Sequence, residues 1–194
     1  EIVHSGELGT IHTMQAIFRT PTLRRTDIRF EYSLGGGATM DMGCYMVNLM
    51  RYVAGEEPVV TAARAHLMAP QVDRRMLASL RFPAGAIGRM DVEMKALRLP
   101  DVRLIVTGDR GSLLVVNPIL PQIFQRMRIR TGEGVRSEHF PRTATYRYQM
   151  AAFVAAVQQR APFPTDAADA VRNLLVIDEI YAKAGLKPRG MHAA

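Results

Sequence analysis

Apolar and polar positions fall into blocks along the chain, and the period changes from block to block. Residues 10–18 alternate loosely and predict a strand. Residues 19–34 hold Pro21 and several charges without a period, and predict a loop. Gly35-Gly36-Gly37 then interrupts the chain. Over 38–53, Met42, Met46, Leu49, Met50 and Val53 recur at steps of three and four, which places them on one face of a helix. Gly55 and Pro58 end that helix. At the start of the chain, Ile2 and Val3 read as the end of a helix capped by Gly6.

The middle of the chain is short apolar runs rich in Val, Ile and Leu, over 59–68, 75–82, 86–94, 102–107, 112–116 and 123–129. Pro83-Ala84-Gly85, Gly108-Asp109-Arg110-Gly111 and Asn117-Pro118 punctuate them as turns. Successive strands with tight turns predict an antiparallel meander. In 86–95 the polar set Arg89, Asp91, Glu93 and Lys95 alternates with Met90, Val92 and Met94, so one face of that strand is buried. A helix over 145–160 carries Met150, Phe153, Val154 and Val157 as a stripe. Pro162 and Pro164 separate it from a second helix, which starts near Asp166, carries Leu174, Leu175, Ile177, Ile180 and Tyr181, and ends at Gly185. The order predicts an α+β domain: a mostly antiparallel, open-faced sheet with helices packed on one face.

Composition narrows the function. The chain has 194 residues, 48% of them apolar, enough for one sizeable core. A single cysteine, Cys44, excludes a disulfide framework and a Cys-rich metal centre, and His4, His12, His66, His139 and His192 lack ligand spacing, so no metal site is expected. The net charge is +7, carried almost wholly by scattered arginines. The tightest groupings, Arg24-Arg25, Arg74-Arg75 and Arg126/Arg128/Arg130, form no basic run and sit beside no array of stacking aromatics. They predict a solvated basic surface rather than a nucleic-acid partner. The apolar runs are too short to span a bilayer and no secretory signal opens the chain, which points to a cytoplasmic protein without a membrane partner. The opening on Glu1 instead of Met looks cut from something longer.

The chemistry concentrates in 35–48. The glycines there do not make a dinucleotide fingerprint, since Gly35-Gly36-Gly37-Ala38-Thr39-Met40 lacks the last glycine, and neither a Walker-type loop nor a nucleophile elbow occurs. No self-contained nucleotide site is expected. On a helix, Asp41 and Tyr45 share a face and Asn48 lies near the same edge. The glycines permit close approach of the loop, either to a ligand or to another stretch of backbone. Two readings stay open at this point. The polar stripe is a reactive site, or Asp41 serves the helix start and Tyr45 is an interfacial core residue.

The segment Gly35 to Tyr45, Gly-Gly-Gly-x-x-x-Asp-x-Gly-x-Tyr, resembles the signature of the Gfo/Idh/MocA oxidoreductases in their C-terminal domain. Ser5-Gly6-Glu7-Leu8-Gly9, Gly55-Glu56-Glu57-Pro58, Phe82-Pro83-Ala84-Gly85-Ala86, Gly108-Asp109-Arg110-Gly111-Ser112 and Tyr146 with Phe153 follow in the family's order. The resemblance implies residues 1–9 as a remnant of the inter-domain connection and 10–194 as a substrate-binding and oligomerisation domain. It implies an NAD- or NADP-dependent oxidoreductase acting on a sugar, polyol or diol, with the cofactor bound mainly by a Rossmann domain that this chain does not match. The chain is then expected to be inactive by itself.

Many members carry histidine where Tyr45 stands. Tyrosine is similar to the glucose–fructose oxidoreductase and dimeric dihydrodiol dehydrogenase branch. The resemblance makes Tyr45 the acid–base and Asp41 the group that orients substrate or Tyr45. Asn48, Arg29, Gly36 and Gly37 become substrate contacts, and the open sheet face becomes a homodimer or homotetramer surface. Removing hydride from a carbinol carbon requires its hydroxyl proton to leave, so an acid–base within hydrogen-bond reach is what that chemistry needs. The rival expectation is a non-catalytic scaffold domain that keeps the fold without the reaction.

Overall fold

The computed structural model describes residues 1–21, 27–97, 99–159, 161–163 and 165–189. The Arg24-Arg25 pair, the helix end at Arg160, Pro164 and His192 lie outside them. Among the described residues the strands are β1 (Ile11–Thr20), β2 (Val59–Ala69), β3 (Val72–Arg81), β4 (Ile87–Met94), β5 (Asp101–Gly108), β6 (Gly111–Val116), β7 (Arg126–Thr131) and β8 (Gly134–Glu138). The helices are α1 (Cys44–Ala54), α2 (Thr145–Gln159) and α3 (Ala167–Lys183). No described helix is long and apolar enough to cross a membrane.

The strands form one sheet in the order β2-β3-β4-β1-β5-β6-β7-β8. The α+β architecture matches the expectation, with one correction to the simple meander: β1 is inserted between β4 and β5 and runs parallel to β4. The inward row explains the choice of neighbour. Met14 of β1 lies opposite Gly88, and Ala16 lies opposite Met90, so each bulky side chain meets a small one. Across β5, Met14 meets Val106 and Ala16 meets Leu104, and all four are buried. β7 starts three residues later than the sequence pattern suggests, because Ile123 ends a turn that precedes it and Phe124 lies in the short connection that follows. β8 was not expected at all. Its sequence Gly-Val-Arg-Ser-Glu is polar and exposed, and it is held by ladder pairing to β7 instead of by burial.

One face of the sheet is covered by α1 and α3. Met46, Val47 and Met50 of α1 and Val176, Ile177, Ile180 and Tyr181 of α3 are buried against Met76, Leu80, Met90 and Val92. Gly55 ends α1 in the left-handed region. Asp166 caps α3, accepting from the Asp169 amide at 2.7 Å. The end of α3 is a Schellman turn: the Gly185 amide donates to the Ala182 carbonyl at 3.0 Å and the Leu186 amide to the Tyr181 carbonyl at 2.9 Å. That turn sends residues 187–189 back beneath the glycine loop. The α2 stripe exists as expected but covers no core, with Met150, Phe153 and Val157 all more than half exposed.

Candidate active site

The glycine loop is folded onto itself by two backbone bonds. The Gly36 amide donates to the Glu31 carbonyl at 2.8 Å and the Gly37 amide to the Arg29 carbonyl at 2.9 Å. A Cβ on Gly36 would lie 2.7 Å from both of the carbonyl oxygens of Arg29 and Glu31. A Cβ on Gly37, whose φ is +133°, would lie 2.2 Å from Oδ1 of Asp73. These two glycines therefore approach the chain's own backbone and a buried carboxylate. They bring the Arg29 turn down onto the start of the following helix, and Arg29 Nε donates to the Asp41 carboxylate at 2.9 Å.

Asp27 caps the Arg29 turn through the Arg29 amide at 3.0 Å and also pairs with the guanidinium. The Arg29 charge is thus divided between two carboxylates, and its hydrogen bond to Asp41 holds its pKa above the ordinary value. Arg29 positions Asp41 and has little charge left for a phosphate.

Residues Thr39–Gly43 form a π-helical turn that runs into α1. Its amino end is capped from across the fold: Asp73, fully buried, accepts from the Thr39 amide at 2.8 Å and from the Thr39 hydroxyl at 2.7 Å. Tyr181 Oη donates to the other Asp73 oxygen at 3.2 Å. Arg189 approaches that oxygen at 3.3 Å, donates to the Gly36 carbonyl at 2.9 Å and stacks on the rings of Tyr181 and Tyr32. Burial pushes the Asp73 carboxyl up, and the Thr39 donors and Arg189 oppose that shift. Sequence reasoning missed both Asp73 and Arg189. The only available signal was the absence of a local cap residue before Thr39.

Tyr45 follows Asp41 by four residues, at the start of α1 just past the π-turn, and is 46% exposed, with its ring 6.5 Å from that of Phe18. Partial burial holds its phenol above the ordinary value, Cys44, Tyr146 and Asp41 add to the shift, and Arg29 opposes it. Cys44 is a half-buried neutral thiol pushed up to about 11, chiefly by desolvation.

Two cavities share the wall formed by Ile119 and Leu120. One, of about 510 Å³, is lined by Tyr45, Tyr146, Tyr148 and Phe163. The other, of about 500 Å³, is lined by Arg29, Asp41, Phe18, Ile123 and Phe124. The structure thus pairs Arg29 with Asp41 in one cavity and places Tyr45 in the other, across the shared wall. It does not bring Asn48 to them: Asn48 Nδ2 donates to Asp169 at 3.2 Å in a separate polar cleft with Arg51 and Glu57. The π-turn adds a residue to the first turn of the helix, so the α-helical spacing that put Asn48 on the Asp41 edge does not apply. Gly36 and Gly37 are buried under the loop and serve its packing.

The chain has counterparts among known proteins. Residues 1–114 match the GFO/IDH/MocA C-terminal domain. The D-xylose 1-dehydrogenase (NADP(+)) 2 of Haloferax volcanii is 31% identical over 185 residues, covering 93% of this chain and 56% of its own length. The aldose-aldose oxidoreductase of Caulobacter crescentus, solved with glycerol, superposes with a TM-score of 0.83 at 24% identity, over 95% of this chain and 56% of that protein. A levoglucosan dehydrogenase solved with NADH and levoglucosan gives a TM-score of 0.83 at 18% identity, over 95% of this chain and 59% of its own. The chain spans little more than half the length of these relatives. With a family match over more than half its residues and the same fold across nearly all of them, the chain belongs to the Gfo/Idh/MocA family of oxidoreductases and corresponds to their C-terminal domain.

Proposed function

We propose that this chain is the substrate-side half of an NAD- or NADP-dependent oxidoreductase acting on a sugar, polyol or diol. One observation carries the reading: the Asp41 carboxylate, fixed by Arg29 at 2.9 Å, lines a cavity that shares the Ile119–Leu120 wall with the cavity lined by Tyr45. A phenol held above its ordinary pKa is protonated at neutral pH. Tyr45 Oη is then the proton donor to the carbonyl oxygen when substrate is reduced, and it accepts the hydroxyl proton in the reverse direction. The reverse step needs a cation near Oη, because a neighbouring positive charge favours the phenolate. Asp41 accepts from a substrate hydroxyl and orients the carbinol. The nicotinamide supplies the hydride. The described residues contain no glycine-rich turn from strand to helix that would cradle its pyrophosphate. A protein made from the complete gene is expected to turn over one of these substrates with NAD or NADP. The isolated chain is expected to bind substrate without turnover. A complete-gene product that binds sugars yet reduces no cofactor would favour a scaffold role instead.

We also propose a homo-oligomer through the open sheet face. Ile17, Leu77, Ile105 and Leu114 point outward there among the Arg19–Asp91–Arg75 ion pairs. Sedimentation of the chain should show a dimer or larger species, and a strict monomer at micromolar concentration would refute it.

A further inference from the structure

The cavity beside Asp41 has a charged pair in its lining, Arg29 and Asp41, with Thr20 and Asn117 as its other polar residues. The segment 117–124 contributes Ile119, Leu120, Ile123 and Phe124 to the lining. Several polar groups of this segment are bonded within the fold, and Gln122, whose Oε1 is buried without a partner, does not line the cavity. Asn117, with φ +53°, donates from Nδ2 to the carbonyls of Leu120 and Phe124, both at 2.8 Å, and accepts from the Leu120 amide at 3.2 Å. The Ile119 carbonyl accepts from Thr145 Oγ1 at 3.2 Å. The Ile123 amide donates to the Leu120 carbonyl at 3.1 Å. The segment therefore turns its backbone hydrogen bonding inward and leaves apolar side chains lining the same space as the charged pair. Phe18 and Val102 continue the apolar lining from the sheet.

A ligand substituent entering this space gains by being apolar. Each buried methylene is favourable, whereas a hydroxyl placed against the wall would lose its water without gaining a partner. The cavity, at about 500 Å³, is of the size that holds a small molecule.

We infer that the wall of Ile119, Leu120, Ile123 and Phe124 is an apolar subsite. It selects carbinol substrates bearing a deoxy, alkyl or aryl substituent on the side facing away from Asp41, over fully hydroxylated ones. This rests on the proposed role of Asp41 as hydroxyl anchor and adds which substituent the site accepts.

The test uses the chain labelled at its isoleucine methyls and titrated with straight-chain vicinal diols from propane to hexane. A hexane triol with its third hydroxyl at the far end serves as control. Affinity should rise about four-fold per added methylene, with the methyls of Ile119 and Ile123 shifting. The triol should lose about ten-fold or more against the hexane diol. Phe124→Ala and Ile123→Ala, at exposed positions where folding is not at risk, should flatten the rise. Asp41→Asn should weaken every diol alike and leave the rise intact. A flat series, or a rise untouched by either alanine variant with no shift at Ile119 or Ile123, overturns the subsite while leaving Asp41 as anchor. A preserved rise that Asp41→Asn does not weaken keeps the apolar wall and overturns the anchor beneath it.

Discussion

Replacing Gly37 by alanine tests the architecture of the site without any assumption about the reaction. At φ +133° an L-residue is strained by about 1–2 kcal/mol. The new Cβ would also sit 2.2 Å from Asp73 Oδ1, 2.9 Å from Arg189 Nη2 and 3.0 Å from Tyr181 Oη, so the buried carboxylate must leave its partners. Breaking a buried pair typically costs about 3–5 kcal/mol. Partial relaxation makes about 4 kcal/mol a reasonable total, or about 8–16 °C in Tm for a chain of this size. Gly35, two residues earlier, is the control. Its φ is also positive, at +77°, but nothing lies within 4 Å of a Cβ there, so alanine should cost only about 1 kcal/mol of strain. Urea unfolding of the two variants, followed by circular dichroism, measures both. Equal losses at the two positions, or a Gly37→Ala loss below about 1 kcal/mol, would refute the close approach of the loop to Asp73.

Further outcomes follow from the same contacts. Arg189→Lys should destabilise nearly as much as Arg189→Ala in thermal unfolding, because the flat guanidinium stacked on Tyr32 and Tyr181 has no ammonium equivalent. The Tyr45 phenol should titrate above about 10, and Arg29→Ala should move it higher still, since Arg29 is the group that opposes the shift; tyrosine ring NMR against pH reads this directly. On the acid side, Glu57 is held below the usual carboxylate range by Arg51, and Asp91, although burial alone would raise it, is held below by Arg75 and Arg19. Their folded values are depressed, so the stability they contribute is full above an unfolded-state value of about 4 and is lost as pH falls through the folded values. Urea midpoints measured down to about pH 2 should fall less steeply in Asp91→Asn than in the parent chain.

The parts of the fold carried by alternation were readable from the chain. β4 buries Met90, Val92 and Met94 as their spacing demands, and Gly55, Asp166 and Gly185 punctuate the helices where their chemistry places them. Pairing was less readable. Nothing local to 11–20 says that β1 lies between β4 and β5, because that choice depends on Gly88 being small opposite Met14, a match between residues far apart in sequence. β8 has no apolar side to betray it. In the site, Asp41, Tyr45 and Arg29 were nominated from spacing and resemblance; the structure pairs Arg29 with Asp41 and places Tyr45 in the neighbouring cavity. Asn48 was misplaced because a π-turn is invisible to a helical wheel. Asp73 and Arg189, 116 residues apart in sequence, act on one loop, a relation that only the fold creates.

The central claim is that Tyr45 moves the substrate proton. Its most direct test is the rate of the Tyr45→Phe variant of the complete-gene protein in NAD- or NADP-linked turnover of its best sugar, polyol or diol. Phenylalanine keeps the ring and its contact with Phe18 and removes only the hydroxyl. The account predicts a fall in kcat of about 10²–10⁴-fold, the usual worth of a positioned acid–base, with KM little changed. A kcat equal to that of the parent protein would contradict it.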